Sequence, residues 1–431
     1  MLRKAIKNVS FLWMGSILGA IISFMSQAIL AKSLGAEFYG LFSAALATIN
    51  LIVPLAGFGV AAFWLKAFGQ EGWGATRWLI PSFKFTFISS SILFLLMLIW
   101  SIQGPNDSNT EKLLVILSVM LYGLSLQELF FSKLQLEEKY ISYALWQLFI
   151  PLFRFVSIFT LAIKDSLSIE NVAIIYIAPS IISLLVSFFY MKKMYSNNFE
   201  LKGHGERPIQ KISIENKTTK ELVCCCWVFG VSGFFYILWN QSNVVILKYM
   251  VDDHSAGLYN VAVLIINAIC ILPTVIYTKY LLPKVHRWAK NDLIKLKKLY
   301  HFGNKLMLLL GAFSVAGIWL LSEIFIDVAF GKEYMEAAQV LMGLSFLLPI
   351  RFIGHNIGAL LVVNNYMIKK IKVMGFVAIM SVLLNFILVT NIGIFGLVIT
   401  SIICEIILVS CYYYLVRKIY INNNWSKVIS I

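Results

Sequence analysis

FLWMGSILGAIISFMSQAILA, Phe11 to Ala31, runs its whole length without a charged side chain. Hydrocarbon offers peptide groups no water to bond, so such a stretch crosses a bilayer only as a helix, and about twenty residues span the ~30 Å core. Comparable runs recur to the end of the chain: Gly40 to Leu65, Leu79 to Ile102, Leu113 to Gln135, Ile141 to Ile163, Asn171 to Met191, Leu222 to Leu247, Leu258 to Tyr280, Leu306 to Leu321, Ala337 to Val363, Val373 to Thr390 and Ile394 to Val416. The sequence therefore predicts an all-α polytopic membrane protein with twelve transmembrane helices.

Composition agrees. The 431 residues are 60% hydrophobic and 13% charged, with a mean hydropathy of +0.82. That is roughly half the charge density of a soluble domain, which excludes an ordinary cytosolic enzyme, a disordered chain and a disulfide scaffold. Arg3, Lys4 and Lys7 start the chain like a signal peptide, but the apolar run behind them is too long for one, so the first span is read as an uncleaved helix. All six cysteines (Cys224, Cys225, Cys226, Cys270, Cys404 and Cys411) lie in apolar stretches with neither CxxC spacing nor a nearby histidine, and are read as packing residues rather than metal ligands.

The net charge of +15 points to membrane topology rather than nucleic acid, because the basic residues fall in short clusters between spans. Of 36 Lys and Arg, 29 fall in loops on one side under the twelve-span reading, five on the other, and Arg154 and Arg351 lie inside spans. That asymmetry puts both termini in the cytoplasm. Trp64, Trp78 and Trp100 are read as an interfacial aromatic belt.

The polar stretch Lys192 to Glu221 divides the chain into a bundle over 1–191, a flexible cytoplasmic linker over 192–221 and a bundle over 222–431. The halves repeat: Gly40-Leu41-Phe42-Ser43-Ala44-Ala45 returns as Gly257-Leu258-Tyr259-Asn260-Val261-Ala262, with Gln27 and Asn243 preceding the two copies. Each copy sits between the first and second spans of its half, the pattern of a parallel six-plus-six repeat with a substrate path between pseudo-symmetric bundles. No GxxxxGK[ST], HExxH or GxSxG occurs, so neither an ATPase nor a hydrolase is expected, and no cofactor or metal.

Five strings carry a family resemblance: LGAEFYG (Leu34 to Gly40), NVVILKYMVDDHSAGLYNVA (Asn243 to Ala262), LLPKV (Leu281 to Val285), FGKEYMEAA (Phe330 to Ala338) and LLNFILVTNIGIFGLVIT (Leu383 to Thr400). In this order and at these span positions the chain resembles the Wzx-type polysaccharide exporters, flippases of O-antigen and capsule repeat units. They belong to a superfamily shared with multidrug and toxin extruders and lipid II flippases. The resemblance covers nearly the whole chain, with Asn243 standing where the family usually has an aspartate. It implies a flippase in the bacterial cytoplasmic (inner) membrane that turns a polyprenyl-pyrophosphate-linked oligosaccharide from the inner to the outer leaflet. It further implies membrane lipids and the polysaccharide polymerase machinery as partners, no nucleic acid, and a monomer. Twelve spans rather than fourteen, and no acidic residue in Phe11 to Ala31, set the chain apart from lipid II flippases and from cation-coupled drug extruders. A cation-coupled multidrug exporter is the alternative reading.

Ionisable groups at membrane depth are costly and tend to face a cavity or a partner. Four stand out: Glu128, Arg154, Arg351 and Glu405. At ~1.5 Å per residue, Arg351 and Glu405 share a depth of roughly 16 Å and are able to pair, Arg154 lies roughly 20 Å in, and Glu128 only roughly 7 Å. An arginine without a carboxylate suits a diphosphate headgroup, because its fork donates bidentately and stays charged. The candidate substrate-binding residues are thus Arg154 and Arg351 for pyrophosphate, Gln147 on the face of Arg154, Asn240 and Asn243 for sugar, and Lys84, whose position also suits interfacial anchoring. Glu405 and His355 are the candidates for ion coupling. Arg287, Lys290, Lys295, Lys297 and Lys298, interleaved with Leu293, Ile294 and Leu296, suit either positive-inside topology or a surface helix on anionic lipid.

Overall fold

The computed structural model describes residues 2–196, 199–202, 204–205, 217–274, 276–277, 281, 285, 293–361 and 367–418. Every regular element among them is helical. They are α1 (Leu2–Gly57), α2 (Val60–Glu71), a 3₁₀ turn (Gly72–Trp78), α3 (Leu79–Gln103), α4 (Ser108–Ser118), α5 (Met120–Leu136), α6 (Tyr140–Ile163), α7 (Ile169–Tyr195), α8 (Thr219–Met250), α9 (Asp253–Thr274), α10 (Leu293–Ala329), a short 3₁₀ turn (Lys332–Tyr334), α11 (Glu336–Ser345), α12 (Leu347–Leu360), α13 (Met367–Ile392) and α14 (Ile394–Val416). Nine segments among the described residues are long and apolar enough to cross a membrane, or up to ten if the bent pair α11 and α12 counts as one.

The first of those segments, Met14–Gln103, covers 90 residues. As one straight helix it would be roughly 135 Å long, far beyond a bilayer. It is broken at Gly35, at Phe58–Gly59 and at the 3₁₀ turn. Gly35 has φ 78° and ψ 168°, a conformation nearly closed to residues with a Cβ. Helix starts follow local chemistry. The Asp107 side chain accepts the backbone N–H groups of Asn109 and Thr110 at the start of α4, and Ser168 caps α7. Before α8, Thr218 and Glu221 form a reciprocal capping box: the Thr218 N–H donates to Glu221 Oε2 at 2.8 Å and the Glu221 N–H to Thr218 Oγ1 at 3.2 Å. Large apolar side chains point outward, Phe313 and Leu320 on α10 among the most exposed, as a lipid-facing surface requires.

The chain divides into two compact units, Met1–Leu34 with Leu41–Val245, and Gly35–Gly40 with Ile246–Ile431. The core of the first gathers Trp64, Phe68, Trp73, Trp78, Phe130, Met194, Phe199 and Leu201. Trp64 and Trp78 are therefore core residues rather than belt anchors: the Trp64 indole donates to Ser82 Oγ at 2.9 Å and the Trp78 indole to Glu71 at 3.4 Å. Trp100 is exposed. The start of the polar stretch is also built into this unit. Phe199 and Leu201 are buried, the Lys202 N–H donates to the Leu136 carbonyl, and the Trp73 indole donates to the Gly205 carbonyl. The stretch expected to be flexible thus begins as an anchored strap, because its two apolar residues cover the aromatic end of α2. Positions 206–216, Arg287, Lys290 and most of LLPKV lie outside the described residues.

In the second unit the repeated turns meet each other. A Cβ on Gly40 would collide with the Asp253 carbonyl oxygen, and one on Gly257 with the Ala36 carbonyl oxygen. The repeat relates Gly40 to Gly257 and Ala36 to Asp253, so the two contacts exchange under it, as expected of a local two-fold. Around the crossing, Glu333 Oε1 accepts the Ala36 N–H at 2.7 Å, Asn260 donates to the Tyr39 hydroxyl at 2.9 Å, and Tyr39 meets Tyr334 edge-on. The resembling strings LGAEFYG and FGKEYMEAA are thus one packed cluster. α10 begins at Leu293 rather than near Leu306, so Lys295, Lys297 and Lys298 belong to the same helix as the apolar run, exposed beside the buried Leu296 and Tyr300.

Candidate functional site

Small residues in α1 let it run close along α6. The Cβ position of Gly15 is 3.3 Å from Ala144, that of Gly19 is 3.6 Å from Pro151, and between them Ser16 Oγ donates to Gln147 Oε1 at 3.3 Å. The contacts advance together along both chains, so the two segments run parallel. Arg154 comes one turn after Pro151 and fourteen residues after the start of α6 at Tyr140, roughly 21 Å along the axis.

Its guanidinium carbon lies 4.1 Å from the ring centroid of Tyr176 on α7. That is a cation–π stack, which strengthens where water is excluded. Tyr176 is itself fixed: its ring is buried and meets Phe42 edge-on at 4.9 Å, and its hydroxyl accepts Gln27 Nε2 at 2.7 Å. Arg154 Nε is buried without a hydrogen-bond acceptor, and no carboxylate pairs with this arginine among the described residues. One face of the guanidinium is held by an aromatic ring, and its forked edge keeps its donors.

Arg351 is different. Its Nε donates to Glu405 Oε2 at 2.9 Å, between α12 and α14, with side chains 19% and 8% exposed. His355, one turn further on α12, has its Nε2 3.4 Å from Thr274 Oγ1, and that hydroxyl also donates to the Cys270 carbonyl at 2.7 Å. Asn240 donates to the carbonyl of Tyr236 in its own helix at 2.8 Å, whereas Asn243 is buried. Lys84 lies exposed in the second turn of α3. The structure therefore brings Arg351 to Glu405, while Gln147 is bonded to Ser16 and Arg154 is stacked on Tyr176. Among the described residues no group of three His, Cys, Asp or Glu side chains is placed to hold a metal.

One neighbour of Arg154 is not singled out by the sequence. Tyr176 reads as one more aromatic in an apolar run, and only the pairing of α6 with α7 reveals its role. Glu128 lies eight residues inside the end of α5 at Leu136, about 12 Å, one residue more than the end of its predicted span at Gln135 implies, and it sits against Gly57.

A helical unit of this kind, with an unpaired arginine at membrane depth, invites comparison with known proteins. A family described as polysaccharide biosynthesis protein matches residues 5–287. The chain belongs to that family. Its fold is also that of solved flippase and multidrug transporter structures. The lipid II flippase MurJ, in an inward closed conformation, is 16% identical, with 94% of this chain and 87% of that one covered and a TM-score of 0.71. A multidrug resistance MATE family transporter is similar in its inward-facing conformation (13% identity, 93% and 95% covered, TM-score 0.65). Its outward-facing conformation is similar too (14% identity, 96% and 95% covered, TM-score 0.62). No curated protein matches the sequence. At these identities the structural likeness speaks for the fold, and the sequence match for the polysaccharide biosynthesis family.

Proposed function

We propose that this protein is a flippase that carries a polyprenyl-pyrophosphate-linked oligosaccharide repeat unit, of the O-antigen or capsule type, across the bacterial cytoplasmic membrane by alternating access. Arg154 receives the pyrophosphate. The observation that carries this reading is the guanidinium at mid-membrane depth with its face on Tyr176 and no acidic partner among the described residues. A stacked, uncommitted fork is preorganised for a diphosphate, which offers acceptors in the matching bidentate spacing. Family membership supports the polysaccharide, and the fold supports translocation rather than enzymatic chemistry. In the same reading twelve helices form two six-helix bundles with both termini cytoplasmic. Gln147 and Lys84 assist with phosphate, Asn240 and Asn243 contact sugar, and a monomer hands its cargo to polymerase machinery. Arg351 is a lesser candidate for phosphate because Glu405 already neutralises it.

The test is substitution of Arg154 with membrane-inserted protein and surface glycan measured in the same cells. Arg154→Ala is expected to insert normally and nearly abolish export, and Arg154→Lys to restore part of it, since a point charge cannot reproduce the fork. Normal glycan in Arg154→Gln would overturn the phosphate reading. Deletion of the gene giving drug hypersensitivity with unchanged glycan and lipid-linked intermediates would favour the multidrug alternative.

A further inference from the structure

Glu128 is an intramembrane carboxylate that lies beside a broken helix end and has no basic partner among the described residues. It is the exposed member of an otherwise half-buried or buried helix, yet it faces protein rather than lipid. One turn on, Ser132 Oγ donates to the Ala61 carbonyl on α2 at 2.9 Å, and Glu128 Oε2 lies 3.2 Å from the Cβ position of Gly57 at the end of α1. That end is the break between α1 and α2, where Phe58 has φ 39° and Gly59 φ 75°. Phe58 still donates to the Pro54 carbonyl, but the next rung, from Gly59 to Leu55, is missing. Ser89 Oγ donates to the Ala56 carbonyl at 2.5 Å, so among the described residues the Leu55 and Gly57 carbonyls are the ones left uncommitted at this helix end, which also carries negative partial charge.

The basic groups of the elements around α5 are engaged elsewhere or exposed. Lys66 lies over the Phe229 ring, Lys133 pairs with Glu137, Arg154 stacks on Tyr176, Lys193 lies over the Phe189 ring, and Lys84 is exposed. Glu128 has no ion pair and no hydrogen bond among the described residues. A carboxylate at this depth is held either by a bound cation or by a proton, and broken helices whose C-terminal ends face a path are where transporters hold such ions.

We propose that Glu128, with the broken end of α1 at Gly57, is a monovalent-cation site, taking a proton or a sodium ion, that couples transport to an ion gradient. This rests on the transporter reading above but not on the identity of the cargo. Glu405 is a poorer candidate for the role, because it serves as counter-ion to Arg351.

The experiment uses the purified full-length protein in detergent micelles. Sodium chloride is titrated at constant ionic strength against choline chloride, and in a separate arm proton uptake is followed with an indicator dye after a pH step without sodium. The parent is expected to bind one cation in one of the two arms, and Glu128→Gln to lose it at least tenfold in affinity. Glu405→Gln, where it folds, is expected to retain it, and Glu128→Asp to bind with altered affinity, which separates loss of the ligand from misfolding. Equal binding by the parent and Glu128→Gln in both arms overturns the proposal, as does binding by neither. Because these readouts need no glycolipid, failure of the Arg154 reading leaves them intact, and their failure leaves the Arg154 reading intact.

Discussion

Arg351 in the second unit and Arg154 in the first are both arginines at membrane depth, and they are held in opposite ways. Arg351 is closed on Glu405 at 2.9 Å, and Lys370 in the same unit donates to the Gly358 carbonyl at 3.4 Å with the Tyr412 ring 5.7 Å away. In the first unit Arg154 rests on a ring and Glu128 has no counter-ion among the described residues. An ion pair discharges its electrostatic cost internally and resists change, whereas an open charge is stabilised only when a ligand arrives. The closed pair of the second unit is an architectural contact, and the open charges of the first unit are the groups to which the proposals above give a role in transport.

The largest effect is expected from breaking the closed pair. Glu405→Ala strands a buried guanidinium, and removal of one partner from such a pair costs about 3–5 kcal/mol. Inserted protein and the thermal midpoint in detergent are expected to fall sharply, and Arg351→Leu with Glu405→Leu together to recover most of the loss. Arg154→Ala, measured the same way, is expected to lose no more than about 2 kcal/mol, the scale of a desolvated cation–π contact. Equal losses for Glu405→Ala and Arg154→Ala would erase the distinction between closed and open.

Tyr176 offers an intermediate effect that sharpens the account of how Arg154 is held. Tyr176→Phe keeps the ring beneath the guanidinium and gives up the bond from Gln27, so export is expected to fall by no more than about tenfold, the equivalent of ~1.4 kcal/mol. Tyr176→Leu removes the π face and is expected to approach the export defect of Arg154→Ala while insertion stays near normal. Full export by Tyr176→Leu would show that the stacked orientation is not used.

Period and charge made part of this legible in the sequence. Apolar runs gave the helical membrane class, and matched depths allowed the pairing of Arg351 with Glu405. Three things were not legible, each because it depends on which helices touch. The tryptophans at 64 and 78 look like interfacial anchors until Ser82 and Glu71 are found beside them. The repeated glycines at 40 and 257 mark a repeat in one dimension, and only in three does each prove to leave room for the other copy's backbone. The break at Phe58 and Gly59 lies inside a run that hydropathy reads as continuous, so the helix end beside Glu128 was hidden.

The smallest effect concerns whether the openness of the first unit extends to its uncharged polar groups. Asn240 and Asn243 both lie on α8 within that unit, and the sequence groups them as one polar patch. Asn240 donates to the Tyr236 carbonyl of its own helix, a local bond that ties no second helix and leaves the amide oxygen uncommitted. Asn243 is buried and engaged with neighbouring groups. Asn240→Ala is therefore expected to change stability by less than about 0.5 kcal/mol, and Asn243→Ala by roughly 1 kcal/mol, the scale of an interhelical polar contact in a membrane. If Asn240 meets sugar, its alanine variant should export the native repeat unit less well at unchanged abundance, measured as glycan per inserted protein. A fall in abundance for Asn240→Ala equal to that for Asn243→Ala would instead place both amides in the helix–helix contacts that hold the unit together.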